Sequence, residues 1–274
     1  MSNSIIPQHI AFIMDGNRRW ARERQLPLIS GHHKGAEKIE PLVAYAAKRG
    51  ISYITFWAFS SENWERGKRE IGFLMRVFRE FIKGSVVNRM MEKGVRVKII
   101  GDIESFPKDI IKGVNEIVDR SRNNTTITAT FALNYGGRKE ILSVVNGILE
   151  EYFTKDSKSD LFGSKIKDPA DAKAMAGRQK SKIKNKFQNS KTQISKQYKY
   201  INEKMFSSYL YTKDLPDPDM IVRTGGERRL SGFLPWQGVY SELYFTDKYW
   251  PDFDEKAFEE ALEEYGNRER RFGR

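Results

Sequence analysis

The sequence predicts an α/β fold, a single domain with a mostly parallel six-stranded sheet flanked by helices. The first observation is that short apolar runs typical of strands alternate along the chain with longer stretches of helical periodicity. The second is size: 274 residues, 39% of them apolar and five of them Trp, fit one large domain or two small ones, and no second core is required. A separate observation concerns chemistry and not the fold: the chain has no cysteine, which excludes disulfides, thiolate metal sites and a cysteine nucleophile.

The elements follow from these patterns in chain order. Strands are predicted over residues 9–14, 51–58, 95–100, 127–133, 219–223 and 242–246. Helices are predicted over residues 33–49, 69–93, 107–121 and 137–153, through a basic region to about residue 211, and over 254–269. Strands separated by helices of this length favour parallel pairing, and ligands of such folds bind at the carboxyl ends of the strands.

The first strand ends on Asp15-Gly16-Asn17, and two arginines and a tryptophan then begin a helix. The first backbone N–H groups of a helix stabilise a bound anion, and the Arg19 guanidinium adds a bidentate hydrogen-bond donor. Asp15 directed at the same anion requires a cation between them, for which Mg²⁺ on a diphosphate is the natural candidate. The alternative is an ordinary turn in which Asn17 or Asp15 is the N-cap, and this stretch alone leaves the two readings even.

A second candidate segment follows the second strand, at residues 59–66. It combines short polar groups with aromatic rings and ends on an arginine, which is typical of a pocket rim. Its candidates are Phe59, Ser60, Ser61, Glu62, Asn63, Trp64 and Arg66.

A third segment, residues 223–231, follows the fifth predicted strand. Paired glycines let the backbone approach a ligand, and arginines and hydroxyls surround them. A charged surface loop is the weaker alternative, because a strand precedes the segment and an apolar stretch follows it. Two anion sites together with a divalent metal suggest two phosphorylated substrates.

The predicted helix from Ile71 to Met91 has a broader apolar surface than one buried seam needs, so part of it is expected to line a hydrophobic tunnel. The alternative is that all of these residues are core. They are Phe73, Leu74, Val77, Phe78, Phe81, Ile82, Val86 and Met90.

The net charge of +12 is concentrated in one segment. Residues 155–200 carry 12 Lys and one Arg against four Asp and no Glu, which leaves +3 for the rest of the chain. An apolar stripe at helical spacing predicts a basic amphipathic helix here. The stripe packs on the protein's own core or, less favoured, rests on an anionic membrane surface, and nucleic-acid binding ranks third because stacking aromatics are scarce. Its members are Ile183, Phe187, Ile194, Tyr198, Ile201 and Met205.

The N-terminus lacks a charged region followed by an apolar one, and no apolar run reaches the length of about 18 residues that a spanning helix needs. The expected location is cytoplasmic, with peripheral membrane contact through the basic segment as the alternative.

Seven motifs occur in the order and spacing of the cis-prenyltransferases, and the chain resembles an undecaprenyl-diphosphate-synthase-like enzyme. The resemblance covers the chain from about residue 7 to the C-terminus, interrupted by the basic segment. The motifs are Met-Asp-Gly-Asn-x-Arg-Trp (14–20), Gly-His-x-x-Gly (31–35), Phe-Ser-x-Glu-Asn-Trp-x-Arg (59–66), Asn-Tyr-Gly-Gly-Arg (134–138), Arg-Thr-Gly-Gly-Glu-x-Arg-Leu-Ser (223–231), Glu-Leu-Tyr-Phe-Thr (242–246) and Trp-Pro-Asp-Phe (250–253).

The resemblance implies condensation of isopentenyl diphosphate onto an allylic diphosphate, with each new double bond cis, and a homodimer. It makes Asp15 and Asn63 the catalytic residues, with Mg²⁺ held by Asp15 and Glu242. The residues that the resemblance assigns to binding the allylic diphosphate are Gly16, Asn17, Arg18, Arg19, Trp20 and His32. The remaining substrate contacts that it implies are Phe59, Ser60, Ser61, Glu62, Trp64, Arg66, Arg223, Arg229, Ser231, Arg271 and Gly273.

The chain also departs from the family pattern. Leu28 stands where the family usually has an arginine, so Arg18, found where glycine is common, or another basic group is expected to compensate. The segment 155–200 has no counterpart in the compact bacterial enzymes, and Ser231–Gln237 looks closer to archaeal members, which favours a longer starter such as geranylgeranyl diphosphate. Ala58 and Ile127, where family members set chain length, are small and medium, which favours a long product.

Other classes of protein fit less well. A trans-prenyltransferase would show Asp-Asp-x-x-Asp pairs, but no Asp-Asp occurs, and the Gly-Lys-Ser/Thr of a nucleotide-binding P-loop is also absent. A catalytically silent partner subunit is the serious non-enzyme alternative. Retention of the matched site residues argues against it, and a nucleic-acid-binding module rests on charge alone. These residues are Asp15, Arg223, Arg229, Ser231 and Glu242.

Overall fold

The structure is a computed structural model and describes residues 5–156 and 201–268. All six predicted strands are present, and every neighbouring pair is parallel, in the order β3-β4-β2-β1-β5-β6. The predicted fold class is therefore confirmed. The strands are β1 His9–Ile13, β2 Tyr53–Ser60, β3 Val95–Ile100, β4 Ile127–Tyr135, β5 Met220–Arg223 and β6 Glu242–Phe245.

Helices lie in the first four connections between strands, whereas turns without a helix connect β5 to β6. They are α1 Asn17–Glu23, α2 Leu28–Ala36, α3 Ile39–Lys48, α4 Lys68–Lys83, α5 Ser85–Glu92, α6 Lys108–Ser121, α7 Gly137–Asp156, α8 Glu203–Ser207 and α9 Glu255–Asn267. Short 3₁₀ turns cover Ser61–Glu65, Ile103–Ser105 and Trp250–Asp252.

Three helix predictions need correction. The helix expected over 33–49 is two helices, α2 and α3, and the first of them begins at Leu28. The helix expected over 69–93 is divided by Gly84, whose extended backbone (φ −75°, ψ 164°) ends α4 and begins α5. Continuous apolar periodicity conceals both breaks, because the pattern continues across them.

The basic helix expected to reach residue 211 is also shorter where the structure describes it. Residue Asn202 has an extended backbone (φ −104°, ψ 168°), and its side chain accepts a hydrogen bond from the Met205 amide, so α8 begins only at Glu203. Ile201 precedes this cap and is 56% exposed, which removes it from the predicted stripe. Residues 183–198 of that stripe lie outside the described residues.

The chain divides into two compact units. One consists of Met1–Glu140 and Asp214–Arg274, and the other of Ile141–Lys213. The first contains the entire sheet. A single domain with an insertion at 155–200 stays a prediction, because residues 157–200 lie outside the described residues.

Both faces of the sheet are covered. Phe12 lies in a large cluster on one face, against Phe56 and Trp250, while its neighbours Ala11 and Ile13 lie in a second cluster with Phe233. Alternate residues of a strand point to opposite faces, so one apolar strand supplies both cores.

Within the described residues, we found no helix whose length and apolar content would let it cross a membrane.

Candidate active site

The turn after β1 is built around Gly16. This residue is the N-cap of α1 with φ 101°, and a Cβ there would lie 2.5 Å from Cδ1 of Tyr249, so both the backbone and the space require glycine. No side chain caps the helix, which makes the reading with Asn17 or Asp15 as the N-cap wrong. The first N–H groups of α1 have no partner within the helix, as at any helix start.

Asp15 joins this turn to the loop after β5. Its Oδ2 accepts a hydrogen bond from Nη2 of Arg223 at 2.9 Å, and its Oδ1 lies 3.1 Å from Nη2 of Arg19. Arg223 is only 5% exposed and also donates to the Ser231 hydroxyl at 2.8 Å and to the Arg229 carbonyl. One guanidinium therefore connects the two anion sites that the sequence predicts.

The glycines of the Gly-His-x-x-Gly motif let α2 lie directly on the start of α1. A Cβ at Gly31 would lie 2.0 Å from the Asn17 carbonyl oxygen, and one at Gly35 would lie 2.4 Å from Asn17 Oδ1. This contact brings His32 beside the first turn of α1.

His32 is held in its neutral form. Burial, followed by the positive charge of Arg66, lowers its pKa to about 4. Its Nε2 is buried and has no hydrogen-bond partner among the described residues. Since buried polar atoms are normally paired, this nitrogen is available to a ligand.

A cavity of about 440 Å³ opens beside these residues. One part of its wall is polar, with four arginines and one carboxylate, and is formed by Asp15, Gly16, Asn17, Arg18, Arg19, Arg22, His32, Asn63 and Arg66. The remaining wall is mainly apolar, formed by Ala36, Ile39, Trp57, Ala58, Leu74, Val77, Phe78, Phe81, Ile82, Val97, Ile99, Ile110, Val114, Ile117, Phe131, Leu133 and Trp250, with Met14 and Gly35 completing the lining.

The apolar wall bears on the predicted tunnel. Of the eight candidates on the predicted helix, the five that line the cavity all belong to α4: Leu74, Val77, Phe78, Phe81 and Ile82. Met90 is buried in the core instead, so this apolar surface is divided between the cavity wall and the core. Ala58 also lines the cavity, whereas Ile127 is core.

Two residues missed by the sequence reasoning belong to the polar wall or support it. Glu70, in the first turn of α4, pairs with Arg66 at 2.8 Å and with Arg18 at 3.6 Å. Arg22 lines the cavity one turn after Arg18 and has no carboxylate partner among the described residues. The i,i+4 spacing of Arg18 and Arg22 was the available signal. Leu28 is 38% exposed and does not line the cavity.

The rim segment 59–66 contributes two of its predicted residues, Asn63 and Arg66, to the cavity wall. Asn63 Oδ1 accepts from the Ser60 amide at 3.1 Å in a capping box that fixes the turn. The other predicted residues of the rim segment do not line the cavity. They are Phe59, Ser60, Ser61, Glu62 and Trp64.

Glu242 lies near the amino ends of the strands, whereas Asp15 lies just beyond the carboxyl end of β1. Glu242 is the first residue of β6 and is in register with Met220 and, through it, with Ile10. Asp15 comes two residues after Ile13, which is in register with Arg223. Three residues of strand separate the two levels, about 10 Å. The Glu242 carboxylate pairs with Arg268 at 2.7 Å. A site that holds one metal ion between Asp15 and Glu242 of the same chain is therefore not formed.

Other predicted contacts are placed away from the cavity. Trp20 is 8% exposed and its indole donates to Asp252 at 2.7 Å, so it fixes α1 to the turn before α9. Arg229 pairs with Glu227 on an exposed part of its loop. Arg271 and Gly273 lie outside the described residues.

The donor set limits how Mg²⁺ could bind. Within residues 5–156 and 201–268, no three His, Cys, Asp or Glu side chains are grouped as a metal site. Mg²⁺ commonly uses one or two carboxylates together with substrate phosphates. Asp15, as a single carboxylate beside arginines, fits that mode of binding and does not fit a metal held by the protein alone.

Comparison with known proteins gives a consistent result. Residues 13–273 match the model of a family described as "Putative undecaprenyl diphosphate synthase". The ditrans,polycis-undecaprenyl-diphosphate synthase ((2E,6E)-farnesyl-diphosphate specific) of Micrococcus luteus is 38% identical over 98% of this chain and 92% of its own length. An isoprenyl transferase of Thermotoga maritima is 41% identical over 98% of this chain and 97% of its own length.

A solved structure matches as well. Lavandulyl diphosphate synthase from Lavandula x intermedia, crystallised with dimethylallyl diphosphate, superposes with a TM-score of 0.79 at 29% identity. The match covers 98% of this chain and 99% of that one.

Proposed function

The chain belongs to the undecaprenyl diphosphate synthase family of cis-prenyltransferases, and on that premise we propose that it extends farnesyl or geranylgeranyl diphosphate with isopentenyl units. The product is a long-chain polycis-polyprenyl diphosphate, the precursor of a glycosyl carrier lipid. The relatives of this chain are prenyl transferases, and this chain likewise transfers prenyl groups.

The observation that carries this proposal is one cavity with two kinds of wall. An allylic diphosphate has a charged head and a hydrocarbon tail, and the cavity presents arginines at one part and aliphatic and aromatic side chains over the rest. Nucleic acid has no such tail to place against the apolar wall, which argues against the binding-module alternative.

The cationic wall serves the first chemical step. Cleavage of the allylic C–O bond leaves an allylic cation and a departing diphosphate, so donors placed at the diphosphate lower the barrier. Arg18, Arg19 and the N–H groups at the start of α1 supply these donors, and His32 adds one hydrogen bond in its neutral form. Mg²⁺, when bound by Asp15 and the substrate, would supply further positive charge to the leaving group.

The second substrate, isopentenyl diphosphate, is assigned to Arg223, Arg229 and Ser231. Arg223 already contacts both Asp15 and Ser231, which supports a second diphosphate next to the first. The alkene attacks the allylic cation, a new C–C bond forms, and the cation that results loses a proton. Asn63 lines the cavity and orients the substrate; an amide is a poor base, so we assign the proton to a phosphate oxygen.

The assembly proposed is a homodimer in which Arg271 and Gly273 reach the neighbouring active site. Peripheral membrane contact through the basic segment is the secondary proposal, and it would bring a hydrophobic product near lipid.

The direct test supplies labelled isopentenyl diphosphate with Mg²⁺ and, separately, geranyl, farnesyl or geranylgeranyl diphosphate, and measures the length of each product. Long products from farnesyl or geranylgeranyl diphosphate are expected. Absence of elongation with all three starters would overturn the enzymatic proposal, and salt-dependent oligonucleotide binding in its place would favour the nucleic-acid alternative.

A further inference from the structure

The Asn-Tyr-Gly-Gly-Arg motif has no role in the function proposed above. It lies at the carboxyl end of β4 and continues into α7, and residues 134–140 are here called the connecting segment. Segments 59–66 and 223–238, here called the rim loop and the glycine loop, both contact it. We propose that the connecting segment sets the distance between these two loops, with Gly136 positioning the rim loop and Gly137 positioning the glycine loop. This inference rests on the proposed function.

The rim loop lies directly against Gly136. A Cβ at Gly136 would lie 2.3 Å from the Ser61 hydroxyl and 3.3 Å from Ser61 Cβ, so a larger residue requires the Ser61 side chain to rotate or the loop to shift. Asn134, in a left-handed backbone conformation (φ 48°), accepts a hydrogen bond from the Trp64 indole at 2.9 Å. Both contacts flank Asn63, one of the two rim residues that line the cavity.

The glycine loop lies directly against the next residue. The Gly137 amide donates to the Gly232 carbonyl at 2.9 Å, and a Cβ at Gly137 would lie 2.2 Å from Cδ of Pro235. One residue after Gly232, the Phe233 ring stacks on Trp57 at 5.0 Å and meets Tyr135 edge-on at 6.0 Å.

A buried polar contact supports the same end of the glycine loop. Glu140, which is 2% exposed, accepts hydrogen bonds from the Tyr135 hydroxyl at 2.6 Å and from the Gln237 amide at 3.2 Å. The loop is thus attached to the connecting segment before and after Pro235.

The backbone of the glycine loop requires such support. Ser231 and Leu234 both have left-handed conformations, with φ of 52° and 44°, which cost free energy for residues other than glycine. Strained residues persist where their surroundings determine them. Here the connecting segment contacts the neighbouring Gly232 and Pro235, and Arg223 donates to the Ser231 hydroxyl. Because Ser231 is assigned to the isopentenyl site and directly precedes Gly232, the contact between Gly137 and Gly232 helps to fix the position of the Ser231 hydroxyl.

Adjacent substitutions separate this positioning role from a general effect on folding. Neither Gly136 nor Gly137 has a positive φ, so alanine at either position adds only a Cβ. Gly137→Ala is expected to raise the KM for isopentenyl diphosphate at least tenfold and to leave the Kd of the allylic diphosphate within threefold. Gly136→Ala is expected to lower kcat at least tenfold and to change the isopentenyl KM less than threefold. Gly72→Ala is the control, since a Cβ at Gly72 meets no atom within 4 Å.

Milder variants give the same test if an alanine variant does not fold. Phe233→Leu removes the stack on Trp57 and should raise the isopentenyl KM. Asn134→Gly permits the same backbone conformation, loses the bonds to Trp64 and to the Asp102 carbonyl, and should lower kcat. Equal effects of the two perturbations on the same parameter, or unchanged kinetics in folded variants, would overturn the inference. Failure of the wild-type chain to elongate any starter would instead overturn the proposed function.

Discussion

Replacing Arg223 with lysine tests the bridge between the two anion sites. The guanidinium contacts Asp15 Oδ2 at 2.9 Å with one nitrogen and the Ser231 hydroxyl at 2.8 Å with the other. An ammonium is a single point donor and cannot span both partners. It keeps the positive charge beside Asp15, however, so the fold should be retained.

The magnitude follows from one lost contact. A hydrogen bond to a charged group contributes about 1.5–3 kcal/mol, and each 1.4 kcal/mol is about a tenfold change in rate. We therefore expect kcat/KM for isopentenyl diphosphate to fall about 10- to 150-fold in Arg223→Lys. The assay is steady-state incorporation of labelled isopentenyl diphosphate at saturating allylic diphosphate and Mg²⁺.

The matched control is Arg79→Lys, which retains charge in an exposed ion pair with Asp109, away from the cavity. It should leave kcat/KM unchanged, because exposed ion pairs contribute little. A folded Arg223→Lys variant with kcat/KM within threefold of wild type would refute the bridging role.

Three further outcomes are expected. Asp15→Ala should abolish turnover while circular dichroism shows a retained fold, and near-normal activity would contradict its metal role. Burial lowers the pKa of His9 to about 4, below its value of 6.5 in the unfolded chain. Between these two pH values the unfolded state binds more protons, so the free energy of unfolding decreases as the pH falls from 6.5 towards 4. Urea unfolding should show a loss of about 2 kcal/mol by pH 5 from this buried side chain, and an unchanged pH dependence in His9→Gln would contradict this assignment. Ala58→Leu narrows the apolar wall and should shorten the products on a chromatogram, whereas an identical length distribution would remove Ala58 from the tunnel.

The strands were predictable because each apolar run ends at a turn signal, as at Asp15-Gly16-Asn17. Parallel pairing then places Asp15 and Arg223 at one edge of the sheet, and the structure joins them directly. The same rule places Glu242, at the start of its strand, near the amino ends of the strands, which argues against the metal role that the resemblance implies.

Other features could not be derived from local patterns. The break at Gly84 has no polar signal, because the apolar periodicity of α4 runs on into α5. Glu70 supports Arg18 across about fifty residues of chain, and such a pairing depends on how α1 and α4 pack. The likeness to archaeal members, the starter preference and the dimer stay predictions.

Two guanidinium groups already neutralise Asp15 before any substrate arrives. A dissolved Mg²⁺ ion would therefore meet little net negative potential there and would have to displace both partners to bind. A diphosphate that enters with its own Mg²⁺ offers the displaced arginines new oxygens, so the exchange conserves the number of ion pairs. The ion pairs around Asp15 should thus make the enzyme selective for metal–diphosphate complexes over the free metal, and isothermal titration with MgCl₂ alone should show weak binding.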